Sequence, residues 1–131
     1  IITNQSGISR GLIKEKNLNF IHDFIYKIFK QHEIKLLKIY TCFDHPDNAT
    51  DRRKPGIGMF LEAKRDYGFD LKNCLMIGDS YADMKAGSLQ GMDTMLVLTG
   101  HGQKTLGILG KKETPTYIVK DLYEGVEKLC L

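Results

Sequence analysis

A chain of 131 residues, 42% hydrophobic and 27% charged, is sized for one globular domain and carries too much apolar side chain to remain disordered. Thirteen Gly against three Pro exclude a collagen-like or low-complexity chain, and apolar runs as short as Cys74-Leu75-Met76-Ile77 cannot span a bilayer. Nineteen Lys and Arg against sixteen Asp and Glu leave a net +3, too small and too evenly spread to mark a nucleic-acid or membrane surface but sufficient for a small anionic substrate. Three Cys at unrelated spacings form no disulfide scaffold and point to a reducing cytoplasm.

In chain order, Ile1-Ile2 reads as the end of a buried strand running into a polar loop. With neither an initiator Met nor a signal peptide, a preceding segment is expected. Phe20, Ile21, Phe24, Ile25, Ile28 and Phe29 recur at helical spacing and predict a helix over about 18–32 with one wide apolar stripe. Residues 36–42 read as a strand and 43–55 as a loop. A helix from about Gly58 turns Met59, Phe60, Ala63 and Tyr67 inward and stops at Gly68. A strand over 73–77, a helix over 81–90 stopped by Gly91, and a strand over 94–98 follow. A weak helix or loop is expected over 103–112, then a strand over 117–119 and a final helix marked by Leu122, Val126 and Leu129. Apolar strands separated by helices predict an α/β fold, a mostly parallel sheet covered on both faces, in a single domain.

In such sheets ligands bind at the carboxyl ends of the strands, and polar residues cluster at those exits here. Thr3-Asn4-Gln5-Ser6-Gly7 supplies a hydroxyl, amides and backbone N–H groups that can hold phosphate oxygens, or is an ordinary polar turn. Arg10, three residues past Gly7, either reaches an anion or is an ordinary solvated side chain. Arg52-Arg53-Lys54-Pro55 is either a solvated surface or a cationic cluster for a phosphoryl group. Asp79 and Asp83, beside Ser80 at a strand exit, suit Mg²⁺, which binds one or two carboxylates plus substrate oxygens; the alternative is that they cap the following helix. His101 and Lys104 either touch substrate or lie in a flexible loop.

Taken in this order, the pieces resemble the haloacid-dehalogenase superfamily of phosphohydrolases. Thr3-Asn4-Gln5 looks like its second motif, Lys54 like its third, and Gly78-Asp79 with Asp83 like its fourth. Thr3 through Gly11, with Arg53-Lys54-Pro55, Gly58-Met59 and Thr99-Gly100, is similar to the D-glycero-D-manno-heptose 1,7-bisphosphate phosphatase branch, which includes histidinol-phosphatases. The resemblance implies a Rossmann-like three-layer sandwich without a cap domain, and an Asp nucleophile that forms an aspartyl-phosphate, with a second Asp two residues on as acid and base. It implies Mg²⁺ at Asp79 and, as a further candidate, Asp83. It gives Thr3, Arg53 and Lys54 the catalytic roles, and places Asn4, Gln5, Ser6, Arg10 and Ser80 at the substrate. The Asp-x-Asp motif does not occur before Thr3, so an N-terminal βα unit is expected to be missing and the sheet centre to lie open.

Relatives bind zinc through Cys-x-His and Cys-x-Cys, whereas here Cys42 and His45 are a remnant, with Asp44, Thr50 and Arg52 at the other places; no Zn²⁺ is expected. The implied partner is a small phosphorylated sugar, with neither nucleic acid nor membrane, and the implied protein a monomer of the bacterial cytoplasm supplying heptose for lipopolysaccharide. The alternatives are histidinol phosphate, a polynucleotide 3′-phosphate, or a phosphate-binding remnant without catalysis.

Overall fold

The computed structural model describes residues 1–130, the side chain of Lys112 aside. Its elements alternate as the periodicity predicts: β1 (Ile2–Asn4), α1 (Glu15–Gln31), β2 (Tyr40–Cys42), α2 (Gly58–Tyr67), β3 (Leu75–Gly78), α3 (Tyr81–Leu89), β4 (Asp93–Val97), α4 (Gly102–Ile108), β5 (Tyr117–Val119) and α5 (Leu122–Cys130). The segment expected as a weak helix or loop is α4 followed by a single turn at Lys111–Glu113. Gly68 ends α2 in the left-handed conformation at φ 72°, which only glycine adopts without strain.

Every strand pair is parallel, but the strands form two sheets, β1-β2 and β3-β4-β5. Side chains on β4 alternate between faces: Thr94 meets Gly87 of α3, whereas Met95 meets Gly125 of α5. The two helices therefore cover opposite faces of the larger sheet. A Cβ at Gly125 would lie 2.6 Å from Met95 Sδ, so glycine is what lets α5 approach. On the α3 face, Phe60 of α2 packs with Leu71, Met76 and Ala86; on the smaller sheet, Tyr40 and Cys42 pack with Met59 and Ala63. Ile2 touches both clusters and ties the two sheets together along one face.

Between the outer edges of β1 and β3 runs a groove enclosing about 510 Å³, its walls formed by Ile1, Ile2, Leu75 and Ile77 and its floor by Phe60 and Phe69. Neither edge has a strand partner among the described residues. The open sheet centre expected from the sequence is this groove.

Three expectations need correction. The strand predicted over 36–42 is only Tyr40–Cys42, paired with Ile2–Asn4, with main-chain bonds from Tyr40 N to Ile1 O and from Ile1 N to Lys38 O just ahead of it. Side chains also hold this approach: Ile39 N donates to Tyr26 Oη, and Tyr67 Oη donates to Leu37 O. Tyr67, expected inward, is exposed at the end of α2, where its hydroxyl reaches Leu37 O. The helix α1 buries only Leu18, which lies outside the predicted stripe; of the stripe, Ile25 and Phe29 are half-buried, while Phe20, Ile21, Phe24 and Ile28 are exposed.

Asp66 of α2 clamps the approach to β2, with Oδ2 accepting from Lys38 Nζ and from Tyr40 Oη, both at 2.8 Å. The Lys38 ammonium first, and the Tyr40 hydroxyl second, hold the Asp66 carboxyl down at about 2. Burial, reinforced by Asp66, pushes the Tyr40 hydroxyl up to about 12. A depressed carboxyl stabilises the fold above its ordinary range and loses that contribution as pH falls through its folded value. A raised phenol contributes below its ordinary value and loses that contribution as pH rises. The urea midpoint should therefore fall below about pH 4 and above about pH 10. Asp66→Asn should shrink the acid loss, leaving what Glu62 and Asp44, also held low, still contribute. An unaltered acid limb in that variant would refute the assignment.

Candidate functional site

The carboxyl ends of β1 and β3 converge at one end of the groove, and a lysine joins them. Lys54 Nζ lies 2.6 Å from Asp83 Oδ1 and 2.7 Å from Ile2 O, with its side chain 9% exposed and that of Asp83 7%. The Lys54 main chain is held by Asn4, whose Oδ1 accepts from Lys54 N and whose Nδ2 donates to Lys54 O, both at 3.1 Å. Asn4, expected at the substrate, thus has both polar side-chain atoms committed to fixing Lys54.

Asp83 serves two structural partners at once. Its Oδ2 accepts from Ser80 N and Oγ while Ser80 Oγ accepts from Asp83 N, a reciprocal cap on α3. Its other oxygen carries the ion pair. Ser80, expected at the substrate, is the other half of this cap. Glycine at 78 is required here, since a Cβ would come within 2.5 Å of the Asp83 carboxylate.

Asp79 follows β3 and lines the same end of the groove. Its Oδ2 accepts from His101 N at 2.8 Å, and its carbonyl accepts from Thr105 Oγ1 at 2.8 Å, so the turn into α4 orients it. Oδ1 has no hydrogen-bond donor among the described residues. His101 contributes only its main chain, and its side chain and Lys104 are exposed. Among the described residues no group of three or more His, Cys, Asp or Glu can enclose a metal. One hard carboxylate at a groove edge nevertheless fits Mg²⁺, which takes few protein ligands and fills its octahedron with phosphate and water.

Thr3 Oγ1 accepts from Gln5 Nε2 at 3.1 Å, and Gln5 N extends the ladder to Cys42 O at 2.7 Å. The chain then folds back, with Ser6 O accepting from Arg10 N and Gly7 O from Leu12 N and Ile13 N. Arg10 stands exposed on this turn. Arg53 is half-buried and donates from Nη1 to Asp44 O at 3.2 Å. The structure therefore gathers Lys54, Asp79 and Asp83 around one end of the groove, with Asn4 and Ser80 as supports, Thr3 in contact with Gln5 and Arg10 set apart. Sequence reasoning missed the Lys54–Asp83 pair and the Asn4–Lys54 clip, which join residues 29 and 50 apart and leave no periodic trace.

Residues 51–125 match a HAD-hydrolase-like family model. The D-glycero-beta-D-manno-heptose-1,7-bisphosphate 7-phosphatase of Bordetella bronchiseptica is 37% identical over 129 residues, 98% of this chain and 72% of that protein. The chain belongs to the haloacid-dehalogenase-like hydrolases. Within them, the D-glycero-alpha-D-manno-heptose-1,7-bisphosphate 7-phosphatase of Campylobacter jejuni is 41% identical over 98 residues, 75% of this chain and 56% of that protein. The chain therefore spans between about half and three quarters of the length of these relatives. The crystal structure of D,D-heptose 1.7-bisphosphate phosphatase from B. bronchiseptica complexed with magnesium and phosphate superposes with a TM-score of 0.86 at 36% identity, covering 98% of this chain and 71% of that one. The parallel α/β architecture is that of these haloacid-dehalogenase-like phosphatases.

Proposed function

We propose that this chain is the phosphate-binding portion of a magnesium-dependent phosphatase that removes the 7-phosphate from D-glycero-D-manno-heptose 1,7-bisphosphate, in the bacterial cytoplasm and as a monomer. The observation that carries the reading is the buried Lys54 ammonium, fixed by Asp83, Ile2 O and Asn4 at the polar end of a groove that also holds Asp79. A phosphoryl group placed there meets one rigid cation and one carboxylate available to a metal.

A strand supplied by polypeptide outside residues 1–131 fills the groove and brings the nucleophile, an aspartate, to its polar end. The carboxylate oxygen bonds to phosphorus as the bond from phosphorus to the sugar oxygen breaks, and a second acid on that strand gives the leaving oxygen its proton. Water then takes the phosphoryl group, regenerating the carboxylate and releasing inorganic phosphate. Lys54 offsets the negative charge that gathers on nucleophile and phosphoryl oxygens, and because Asp83 and Ile2 O already hold it, it needs no rearrangement as that charge develops. Thr3 donates its hydroxyl to a phosphoryl oxygen, with Gln5 Nε2 already fixing that oxygen as donor. Asp79 would hold Mg²⁺, whose charge draws nucleophile and phosphate together when it is bound.

Phosphate release by the protein extended through its upstream coding sequence, screened across sugar phosphates with and without Mg²⁺, tests the reading. Heptose bisphosphate should be the best substrate and chelation should abolish release. Asp79→Asn should lower turnover by about 10³-fold or more with an unchanged circular dichroism spectrum. Near-normal activity in that variant, or release that is indifferent to Mg²⁺, would overturn it.

A further inference from the structure

The loop joining β2 to α2 passes through the four positions, 42, 44, 50 and 52, at which the resemblance puts zinc ligands, and they hold Cys42, Asp44, Thr50 and Arg52. A closed zinc site needs four deprotonated nitrogen or sulfur donors. Only Cys42 and the neighbouring His45 are of that kind, and His45 Nδ1 already accepts from Asp47 N at 3.2 Å to cap a short turn. The donor set does not fit zinc.

The same positions are joined directly. Asp44 Oδ2 accepts from Thr50 N at 2.7 Å and from Thr50 Oγ1 at 2.6 Å, spanning the loop at its neck. Arg52 reaches both flanking elements, with Nε and Nη2 paired to the two oxygens of Glu62 on α2 at 2.6 and 3.1 Å and Nη1 donating to Thr41 O on β2 at 3.1 Å. A bidentate guanidinium–carboxylate pair fixes direction as well as distance. Beyond it, Asp51 O accepts from Gly58 N at 2.9 Å, and a Cβ at Gly56 would fall 2.2 Å from Asp51 O, so the return into α2 is closely packed. The two residues so framed are Arg53, which reaches back to Asp44 O, and Lys54.

We propose that this loop is closed without metal, by the Asp44–Thr50 clasp and the Arg52–Glu62 clamp, and that Asp44 and Arg52 are positioning residues for Arg53 and Lys54. The closure stands on the geometry, whereas the positioning role rests on the phosphatase reading.

The chain expressed with zinc in the medium, then purified, should hold less than about one zinc per ten chains, and neither added zinc nor a chelator should move its thermal midpoint. Amide exchange at Thr50, Arg53 and Gly58 should speed by about tenfold or more in Glu62→Gln and in Asp44→Ala, with β4 unchanged. Arg52→Glu combined with Glu62→Arg should restore part of the protection, since the pair is re-formed but Thr41 O loses its donor. In the extended phosphatase, Glu62→Gln should lower kcat by about tenfold with little change in KM, and the charge exchange should recover part of it. One zinc per chain with a midpoint that drops on chelation would overturn the metal-free closure, as would unaltered exchange in the variants. Faster exchange with unchanged kcat would overturn the positioning role alone. If the unsubstituted extended protein releases no phosphate, the phosphatase reading fails, while the closure is still decided by metal content and exchange.

Discussion

Lys54→Met should lower phosphate release by about 10²–10³-fold, the size expected when a preorganised group facing developing charge is removed. It should also destabilise the fold, for a reason unconnected with catalysis. Asp83 is 5% exposed, and Lys54 is the cation on its Oδ1, so the methionine leaves a buried carboxylate with only the Ser80 donors. Stranding one member of a buried pair costs about 3–5 kcal/mol, which by itself could mimic loss of activity through unfolding. The double variant Lys54→Met with Asp83→Asn separates the two effects. A neutral carboxamide can keep the Ser80 cap on α3 and no longer needs a cation, so the thermal midpoint should recover most of its loss while turnover stays low. Recovery of turnover along with stability would show that Lys54 acts only as the partner of Asp83. A single variant that loses less than about tenfold in activity would remove Lys54 from the reaction altogether.

How much was legible in the sequence follows from how far apart the determining residues lie. The order of strands and helices came from local periodicity, and β5 at Tyr117–Val119 and the stop at Gly68 were read to the residue. The lengths of β1 and β2 were not, because a strand ends where its partner ends, and the partner is about 38 residues away. The exposed face of α1 was illegible for the same reason: spacing reports that Phe20 and Phe24 share a face but not whether any element covers it. At the site, the residue types that do chemistry were visible at the strand exits. Their assignment to roles was less so. Asn4 and Ser80 looked like substrate contacts because amides and hydroxyls serve either purpose, and only the fold shows that Lys54 and Asp83 engage them. Arg52 was read within a basic triplet and at a place where relatives carry a zinc ligand, and only Glu62, ten residues on in α2, shows what it engages.

Filling the groove should produce the largest gain in stability. A strand laid between β1 and β3 would satisfy two rows of unpaired main-chain groups at once, and each such hydrogen bond contributes about 0.5–1.5 kcal/mol net. It would also cover Ile1, Ile2, Leu75 and Ile77 along a cavity of about 510 Å³ that otherwise stays open to water. Several kcal/mol in a chain of this length corresponds to roughly 10 °C or more in thermal midpoint. A synthetic apolar peptide of strand length ending in Asp-x-Asp, added in excess to the chain, should give that rise, saturably, and should displace a dye bound to exposed apolar surface. The same peptide with proline at alternate positions has lost donors the ladder needs and should do neither. Replacing its two aspartates by asparagines separates stability from chemistry: the apolar body still fills the groove, so the midpoint should rise as before, while phosphate release in the presence of Mg²⁺ should appear only with the acidic peptide. An equal rise from the proline peptide would mean that apolar contact alone, and no strand, occupies the space. No rise from any of them would mean that the edges of β1 and β3 do not receive a strand, and the route by which a nucleophile reaches Lys54 would have to be sought elsewhere on the surface.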